Sequence, residues 1–371
     1  MLFHKSYIIT ANPVDVITDQ LLYSAVDYSD NTGKAIEKNV DVLRDTLAYG
    51  ELLAVKHANG KDWWVVTPRR NSNTFYVLKF TKGGIVDTLR QTIGIKPKPA
   101  GEGYGQIVFS PDGTRMYRTN RGDPVMAYDF DRETGVFTHF DTISFKYGNQ
   151  PVIGEIGCAV SPSGRFLYLG CRQLLHQLDL WSPDISASQL VVAEWDGVAN
   201  PFATLFSQLQ LGPNCKIYGL AGGDTRYFHV IHHPDEPGLA CQVEQRGLPL
   251  PTPSGASMPS FPNYRLGPVD NPGLPCSPVV SAVVPPAEEV GVSVYPNPAS
   301  DQLTIRYDPA ENGDQTLFIF NNLGQLVLSI WISGDQNHVN IPTDNLSNGI
   351  YWYRVAGKHM SLPAGKFIVH R

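Results

Sequence analysis

The sequence predicts an all-β protein: an incomplete β-propeller of four to five four-stranded blades, a Pro-rich linker, and a C-terminal immunoglobulin-like β-sandwich. Three observations predict it. A strand–turn–strand unit recurs along the first two thirds of the chain. A proline-dense stretch follows it. Behind that come seven short alternating segments with turns about every 8–12 residues. Composition agrees: 34 Gly, 29 Pro and 33 Tyr plus Phe, with no long segment of 3.6-residue period. A length of 371 residues is enough for two or three domains with sizeable cores. The net charge is −6 and no basic run occurs, so nucleic acid is not an expected partner. No apolar stretch reaches the ~18 residues that span a bilayer.

The beginning, Met1 to Thr10, has only a short apolar run followed by Asn12, Pro13 and Asp15. A signal peptide needs an apolar core and a small-residue cleavage site, and neither is present. Tyr7 to Thr10 reads instead as a strand already inside a domain. The repeat then sets the frame. Ser110-Pro111-Asp112-Gly113 recurs as Ser161-Pro162-Ser163-Gly164 and as Gly212-Pro213-Asn214-Cys215, the prolines 51 residues apart both times. A weaker copy is Ala58-Asn59-Gly60-Lys61. Each is a strand, a tight turn and a second strand. Third strands read at Thr74–Phe80, Val125–Phe130, Leu174–Trp181 and Tyr227–His232, and fourth strands at Thr88–Ile93, Thr138–Phe145, Leu190–Trp195 and Cys241–Gln245. Four strands every ~50 residues is the pattern of propeller blades. Tyr7–Thr10, Leu21–Tyr28 and Lys38–Leu43 supply three strands of an earlier blade whose innermost strand would lie upstream of Met1. The expectation is therefore an open arc over residues 1–246, truncated at its start, with an exposed edge at residues 6–10. The alternatives are a genuine small closed propeller or a sandwich of hairpins.

Residues 247–290 form the linker; 11 prolines fall within 247–286, which forbids a regular sheet or helix. Met258–Pro268 carries Phe261, Tyr264 and Leu266 and is expected to lie against the propeller; Val269–Glu289 reads as extended. The second domain occupies 291–371. Pro296 and Pro298 cannot donate ladder hydrogen bonds, so a strand ends at Tyr295. Ser300 and Asp301 supply turn chemistry, and alternation resumes at Gln302. Asn321-Asn322-Leu323-Gly324 reads as a tight hairpin turn.

Few residues combine into chemistry. His229, His232, His233 and Asp235 are metal-ligand types, but a strand alternates its faces, so they do not converge and no metal is expected. Asp112 sits in a turn, while Asp129 and Asp179 hold the same blade offset, as structural residues do; Asp131 follows closely. Arg121-Gly122-Asp123 is an adhesion tripeptide by composition, of the kind that hairpin loops often contain by chance. No phosphate loop or nucleophile elbow occurs, no cofactor is implied and no catalytic set is assigned.

Four blocks carry a specific resemblance. They are Val294-Tyr295-Pro296-Asn297-Pro298-Ala299 with Leu303–Ile305, Phe318–Val327 with its Gly324, Leu346–Val355 with Gly349 and Tyr351, and Gly365 with Lys366, Phe367, Ile368 and Val369. In this order, across all of 291–371, they resemble the type A C-terminal sorting domain of the type IX secretion system. The resemblance implies export across the outer membrane through the type IX machinery. It also implies removal of the domain by cleavage in the linker, and attachment of the cargo to surface lipopolysaccharide. His370 and Arg371 run slightly past the family's usual end. The body is similar to propeller domains of secreted proteins with this same label, through Leu22–Asp27, Glu37–Val40, Lys56–Trp64 and Phe261–Pro268; in those, further blades and a signal peptide precede the equivalent of Ser6. An exported protein fits five cysteines with some paired. Cys158 with Cys171 and Cys241 with Cys276 are the candidate pairs, leaving Cys215 free. Two functions remain for the propeller. One is a non-enzymatic binding module for a protein or glycan. The other is an exported lactonase-like hydrolase, which would need carboxylates and histidines from several blades to meet in the central channel.

Overall fold

The computed structural model describes residues 1–371 apart from 12–13, 28–32, 100–102, 104, 148–155, 256–257, 259, 274–275, 277–292, 307–314, 322–324, 334–335, 358–364 and 371. The chain divides into two compact units, Met1–Val279 and Val280–Arg371.

Five antiparallel sheets follow one another in the first unit. The first holds β1 (Leu2–Lys5), β2 (Ile8–Ala11), β3 (Val14–Asp27) and β4 (Lys34–Leu47). The second runs β5 (Leu53–Lys56), β6 (Trp63–Pro68), β7 (Thr74–Thr81) and β8 (Gly84–Thr92), paired in chain order. The third contains β9 (Ile107–Phe109), β10 (Arg115–Arg118), β11 (Val125–Asp131) and β12 (Val136–Ile143). The fourth has β13 (Gly157–Val160), β14 (Phe166–Cys171), β15 (Leu174–Asp179) and β16 (Leu190–Glu194). The fifth has β17 (Leu209–Leu211), β18 (Ile217–Leu220), β19 (Tyr227–Ile231) and β20 (Val243–Pro249). The last four are the expected blades.

Strand alternation gives the blades apolar faces, and successive blades bury their facing sides against each other. Val55, Trp64, Phe75, Met116, Tyr128 and Phe130 form the core between blades two and three. Tyr117, Val125, Cys158 and Leu167 fill the following gap, and Ala159, Tyr168, Phe206 and Ile217 the one after. Met116 and Tyr117 are neighbours in sequence yet face opposite cores, as period-2 geometry requires. Toward the first sheet, Leu21 and Leu47 pack with Val65 and Leu78.

That first sheet departs from expectation. Position two of the blade is taken by Leu2–Lys5, whose register partners are Leu21–Ser24. Tyr7 lies outside any strand, and Ile8–Ala11 forms a hairpin with Val14–Ile17. The two short strands thus share one long partner, β3, end to end. An aliphatic run this short fits either place; the pairing surface of β3 decides it. Tyr7, Ile8 and Ile9 are 66%, 53% and 65% exposed, while the backbone is engaged: Ser6 N–H donates to Gln20 O at 3.1 Å and Ile8–Thr10 pair with Asp15–Ile17.

The recurring turn is built alike in each blade. Gly60 N–H donates to His57 O at 2.9 Å, Gly113 N–H to Ser110 O at 2.8 Å, Gly164 N–H to Ser161 O at 2.9 Å and Cys215 N–H to Gly212 O at 3.3 Å. The left-handed position is Gly60, Gly113 or Gly164, at φ 68°, 75° and 78°. In the last copy it is Cys215, at φ 63°. A side chain costs energy there, and this one is used: Cys215 is disulfide-bonded to Cys276 across 61 residues. This corrects the expected pairing, since Cys158, Cys171 and Cys241 are free thiols. Cys158 lies directly opposite Leu169, which sets Cys171 two positions along the strand. Such diagonal neighbours stand about 7–8 Å apart, beyond disulfide reach. Cys241 is buried in the core between blades four and five. Burial pushes the Cys158 and Cys171 thiols up to about 12, so both stay protonated. Closing a loop of this length stabilises by about 2–4 kcal/mol. We expect the Cys215→Ser/Cys276→Ser protein to lose that much in urea titration, and the wild type to lose it on reduction; equal midpoints with and without reductant would contradict the expectation.

Beyond β20 the chain runs back across the blades as a strap. Met258 N–H donates to Gln208 Oε1 at 2.8 Å, Asn263 Nδ2 to Pro111 O at 3.1 Å, Arg265 Nη1 to Pro213 O at 2.9 Å and Val269 N–H to Ala58 O at 3.0 Å. Leu266 enters the core between blades two and three.

The second unit contains β21 (Ser293–Tyr295), β22 (Gln302–Arg306), β23 (Gln315–Phe320), β24 (Leu326–Ile332), β25 (His338–Pro342), β26 (Gly349–Gly357) and β27 (Gly365–Val369). Two sheets, β21-β22-β25 and β24-β23-β26-β27, face one another across a core of Leu303, Ile305, Leu317, Ile319, Ile341, Tyr351 and Phe367. This is the expected sandwich. Gly324 and most of the hairpin turn lie outside the described residues; Asn321 N–H donates to Gln325 O at 3.0 Å at its base.

Candidate functional site

In the first unit the innermost strands of four blades surround a cavity of about 580 Å³, roofed by the strap. Val55, Ile107, Val160 and Leu211 come from the strands, Phe261 and Leu266 from the roof. Its polar members are largely committed to the scaffold. Gln106 Oε1 accepts the N–H groups of Cys158 and Leu209 at 3.1 and 3.0 Å, and its Nε2 donates to Leu209 O at 2.6 Å. One glutamine thereby ties three blades together at the centre. Tyr218 Oη accepts from Asn214 Nδ2 at 2.8 Å. Among the described residues the lining contains no Asp, Glu or His.

The acidic and histidine candidates are placed elsewhere. Arg115 Nε donates to Asp129 at 2.8 Å, and Arg165 Nη2 to Asp179 at 2.7 Å; these are the same contact in successive blades. Asp112 accepts from Ser110 and Thr114 within its own turn, and Asp131 from Thr134. Asp123 is buried and accepts from Asn120 Nδ2, so the tripeptide at 121–123 offers no free carboxylate. His232 pairs with Glu244 at 2.7 Å, Asp235 accepts from Ser163, and His229 is buried beside Phe206. Among the described residues no three His, Cys, Asp or Glu side chains come together.

Burial has a different consequence for two histidines. It pulls His176 and His229 down to about 4. In each, Nδ1 meets a donor, Gln189 Nε2 at 3.0 Å and Arg246 N–H at 3.2 Å respectively, while Nε2 is buried. The folded-state pKa lies below the unfolded value, so between about pH 6.5 and 4 the unfolded chain binds more protons. Stability is therefore present above that window and lost as pH falls through it. We expect each histidine to cost about 2 kcal/mol on going from pH 7 to 5. His176→Gln and His229→Gln should flatten the pH dependence of the urea midpoint; an unchanged slope in both would refute this.

In the second unit the motif blocks distant in sequence come together. Asn297 Oδ1 accepts Ile368 N–H at 2.9 Å. Ala299 N–H donates to Ile368 O, and His370 N–H to Ala299 O, both at 2.8 Å. The first block is thus stitched onto the last strand. Pro296 and Pro298, both preceded by cis peptide bonds, carry the chain around this corner. Tyr295 is half exposed. Within β26 and β27 the register sets Tyr353 opposite Gly365, Tyr351 opposite Phe367 and Gly349 opposite Val369. Phe367 and Val369 are buried, and Tyr351 stacks on Phe367 with centroids 5.5 Å apart while donating to Ser347 O at 2.9 Å. A Cβ on Gly365 would stand 2.3 Å from the Tyr353 hydroxyl, which is why the last strand opens on glycine. Lys366 and Ile368 face outward, beside Trp352 and Ile350.

Residues 293–370 match the family described as secretion system C-terminal sorting domain. The C-terminal unit is a type IX sorting domain. Such a domain marks its carrier for release outside the cell or for display on the outer-membrane surface. No curated protein matches the chain. Solved structures similar to it include a Bacteroides uniformis protein provisionally assigned as a 6-phosphogluconolactonase, at 13% identity over 65% of this chain and 70% of that one, TM-score 0.42. A Bacteroides fragilis protein with the same provisional assignment is 18% identical over 52% of this chain and 56% of its own, TM-score 0.34. A functionally unknown protein of Desulfotomaculum acetoxidans is 12% identical over 91% and 88%, TM-score 0.36. Likenesses at these scores carry no assignment of activity. The sorting domain also bears an apolar outer surface. Trp331, Trp352 and Ile350 are 64%, 49% and 48% exposed, and stand on the face of the four-stranded sheet opposite the core.

Proposed function

We propose that residues 291–371 hand this chain to the type IX machinery and that the blades of residues 1–246 are the delivered part, a binding module without catalytic chemistry. Tyr295, Pro296, Asn297, Pro298, Gly324, Gly349, Tyr351, Lys366, Phe367, Ile368 and Val369 make up the signal. Cleavage within 247–290 then frees the blades for the medium or for attachment to surface lipopolysaccharide. One observation carries the reading of the signal: the first and last blocks hydrogen-bond to each other at Asn297, Ala299 and Ile368, and so fold as one unit. The binding reading is supported by a central cavity whose described lining holds neither carboxylate nor imidazole, the groups a channel hydrolase would need.

The test is a fusion of a signal peptide, a fluorescent reporter and residues 291–371 in a bacterium with the type IX system. The reporter should reach the surface or medium, and the same fusion lacking Lys366 to Arg371 should stay in the periplasm. Equal delivery of both would overturn the assignment of the terminal signal.

A further inference from the structure

An apolar hollow of this size, partly open to solvent, keeps apolar wall in contact with water until a guest covers it. Apolar walls do not hold ordered water well, and a guest packed against them gains dispersion partners that water does not supply. At about 580 Å³ it lies within the ~300–1,000 Å³ of small-molecule sites. It is also held open from outside. The strap is pinned to blade two through Ala58, to blade three through Pro111 and to blade five through Pro213. Arg132 of blade three donates to Gly267 O at 2.5 Å, and the disulfide fastens the far end of the strap to the turn at Cys215. The floor is equally fixed by Gln106. Roof and floor therefore cannot simply collapse on each other, so the hollow is preformed.

The lining decides the chemistry of an occupant. Arg265 is the single charged side chain among the described lining residues, and its Nη1 is spent on Pro213 O. Asn263 is spent on both sides, donating to Pro111 O and accepting Arg265 N–H at 3.0 Å. Gln210 Nε2 donates to Leu211 O and Phe261 O at 3.3 Å. Against the apolar strands a carboxylate, phosphate or sugar would give up hydration and meet few partners, at a cost of several kcal/mol per charge or polar group, while the Arg265 side chain stands exposed to solvent. An apolar guest loses nothing comparable.

We infer that this cavity is the binding site of the propeller and that it takes an uncharged, predominantly apolar small molecule. The inference rests on the reading of the blades as a binding module and is independent of the route of export. Leu211 is the position to probe. It sits on β17 between cavity and core, only part-buried, so an enlarged side chain can extend into the void. Phe261 on the roof is 59% exposed, so its truncation spares the fold.

The experiment titrates the full chain with Nile red, an uncharged solvatochromic dye, and displaces it with dodecanol, dodecanoate or glucose 6-phosphate. Saturable binding is expected, with dodecanol displacing the dye at least tenfold more effectively than dodecanoate, and glucose 6-phosphate not at all. Leu211→Trp should raise the Kd for Nile red at least tenfold, and Phe261→Ser about threefold, with the urea midpoint of each variant kept as the control of folding. Saturable binding unaltered in a folded Leu211→Trp protein would place the site elsewhere on the molecule and overturn the cavity assignment while leaving a binding module intact. Absence of saturable binding, or preference for glucose 6-phosphate, would overturn both.

Discussion

Phe367→Ala is expected to unfold the sorting domain and reduce surface delivery to background, while Ile368→Ala and Lys366→Ala leave the domain folded. The three residues are consecutive on β27, and period-2 alternation separates them. Phe367 is fully buried, packed in the core and stacked on Tyr351. Removing a buried Phe side chain costs about 3–5 kcal/mol, transfer and cavity together. A domain of about 80 residues seldom has more than ~3–5 kcal/mol to spare, so this one change exhausts it. Ile368 and Lys366 point to solvent, where substitutions stay within about ±0.5 kcal/mol. The difference separates two causes of failed export. If Ile368→Ala blocks delivery from a domain whose thermal melt is unchanged, the outward row is read by the machinery itself. If Phe367→Ala leaves both the melt and delivery intact, β27 does not hold the domain together. The measurement is a thermal melt of isolated 291–371 alongside surface fluorescence of the reporter fusion.

Much of the fold is legible in the sequence because turns are local. The turn at Pro111–Gly113 and its copies at 162 and 213 fix a hairpin by backbone chemistry alone, and the spacing then counts the blades. Asp129 and Asp179 share one blade offset, which marks them as structural, and each holds the arginine of its own hairpin. What stays hidden is non-local. Cys215 stands where a turn glycine stands and so reads as a free thiol; nothing in the turn says that a chain 61 residues later passes its side chain. Leu2–Lys5 carries too little pattern in four residues to read as a strand, and its place is chosen by the long β3. The cavity has no sequence signature, since its roof at Phe261–Leu266 meets strands 50 to 200 residues earlier. Gln106, which joins three blades, carries no sequence signal at all. The stitching of Asn297 and Ala299 onto Ile368 is a contact across some 70 residues that only folding displays.

The second large effect is expected at Glu51 and Arg118. Arg118 ends β10 in blade three, and Glu51 precedes β5 in blade two, so the pair fastens neighbouring blades. Nε and Nη2 of Arg118 donate to the two carboxylate oxygens of Glu51 at 2.8 and 2.6 Å, with side chains 0% and 1% exposed. The guanidinium lies over the ring of Phe75. Lys5 Nζ from the first sheet donates to the backbone oxygens of Ala48 and Glu51 at 2.6 Å, and burial chiefly pulls it down to about 7. Glu51→Leu removes the carboxylate from a buried guanidinium, which costs about 3–5 kcal/mol; Arg118→Met strands the carboxylate for a similar loss. Replacing both as Glu51→Leu/Arg118→Met takes two charges out of the interior and adds apolar packing. That exchange is often neutral or better, so the double variant should recover most of what either single one loses. Urea titration of the four proteins gives the coupling directly. A double variant as unstable as the sum of the singles would mean that the two groups act apart and that this ion pair does not fasten the blades.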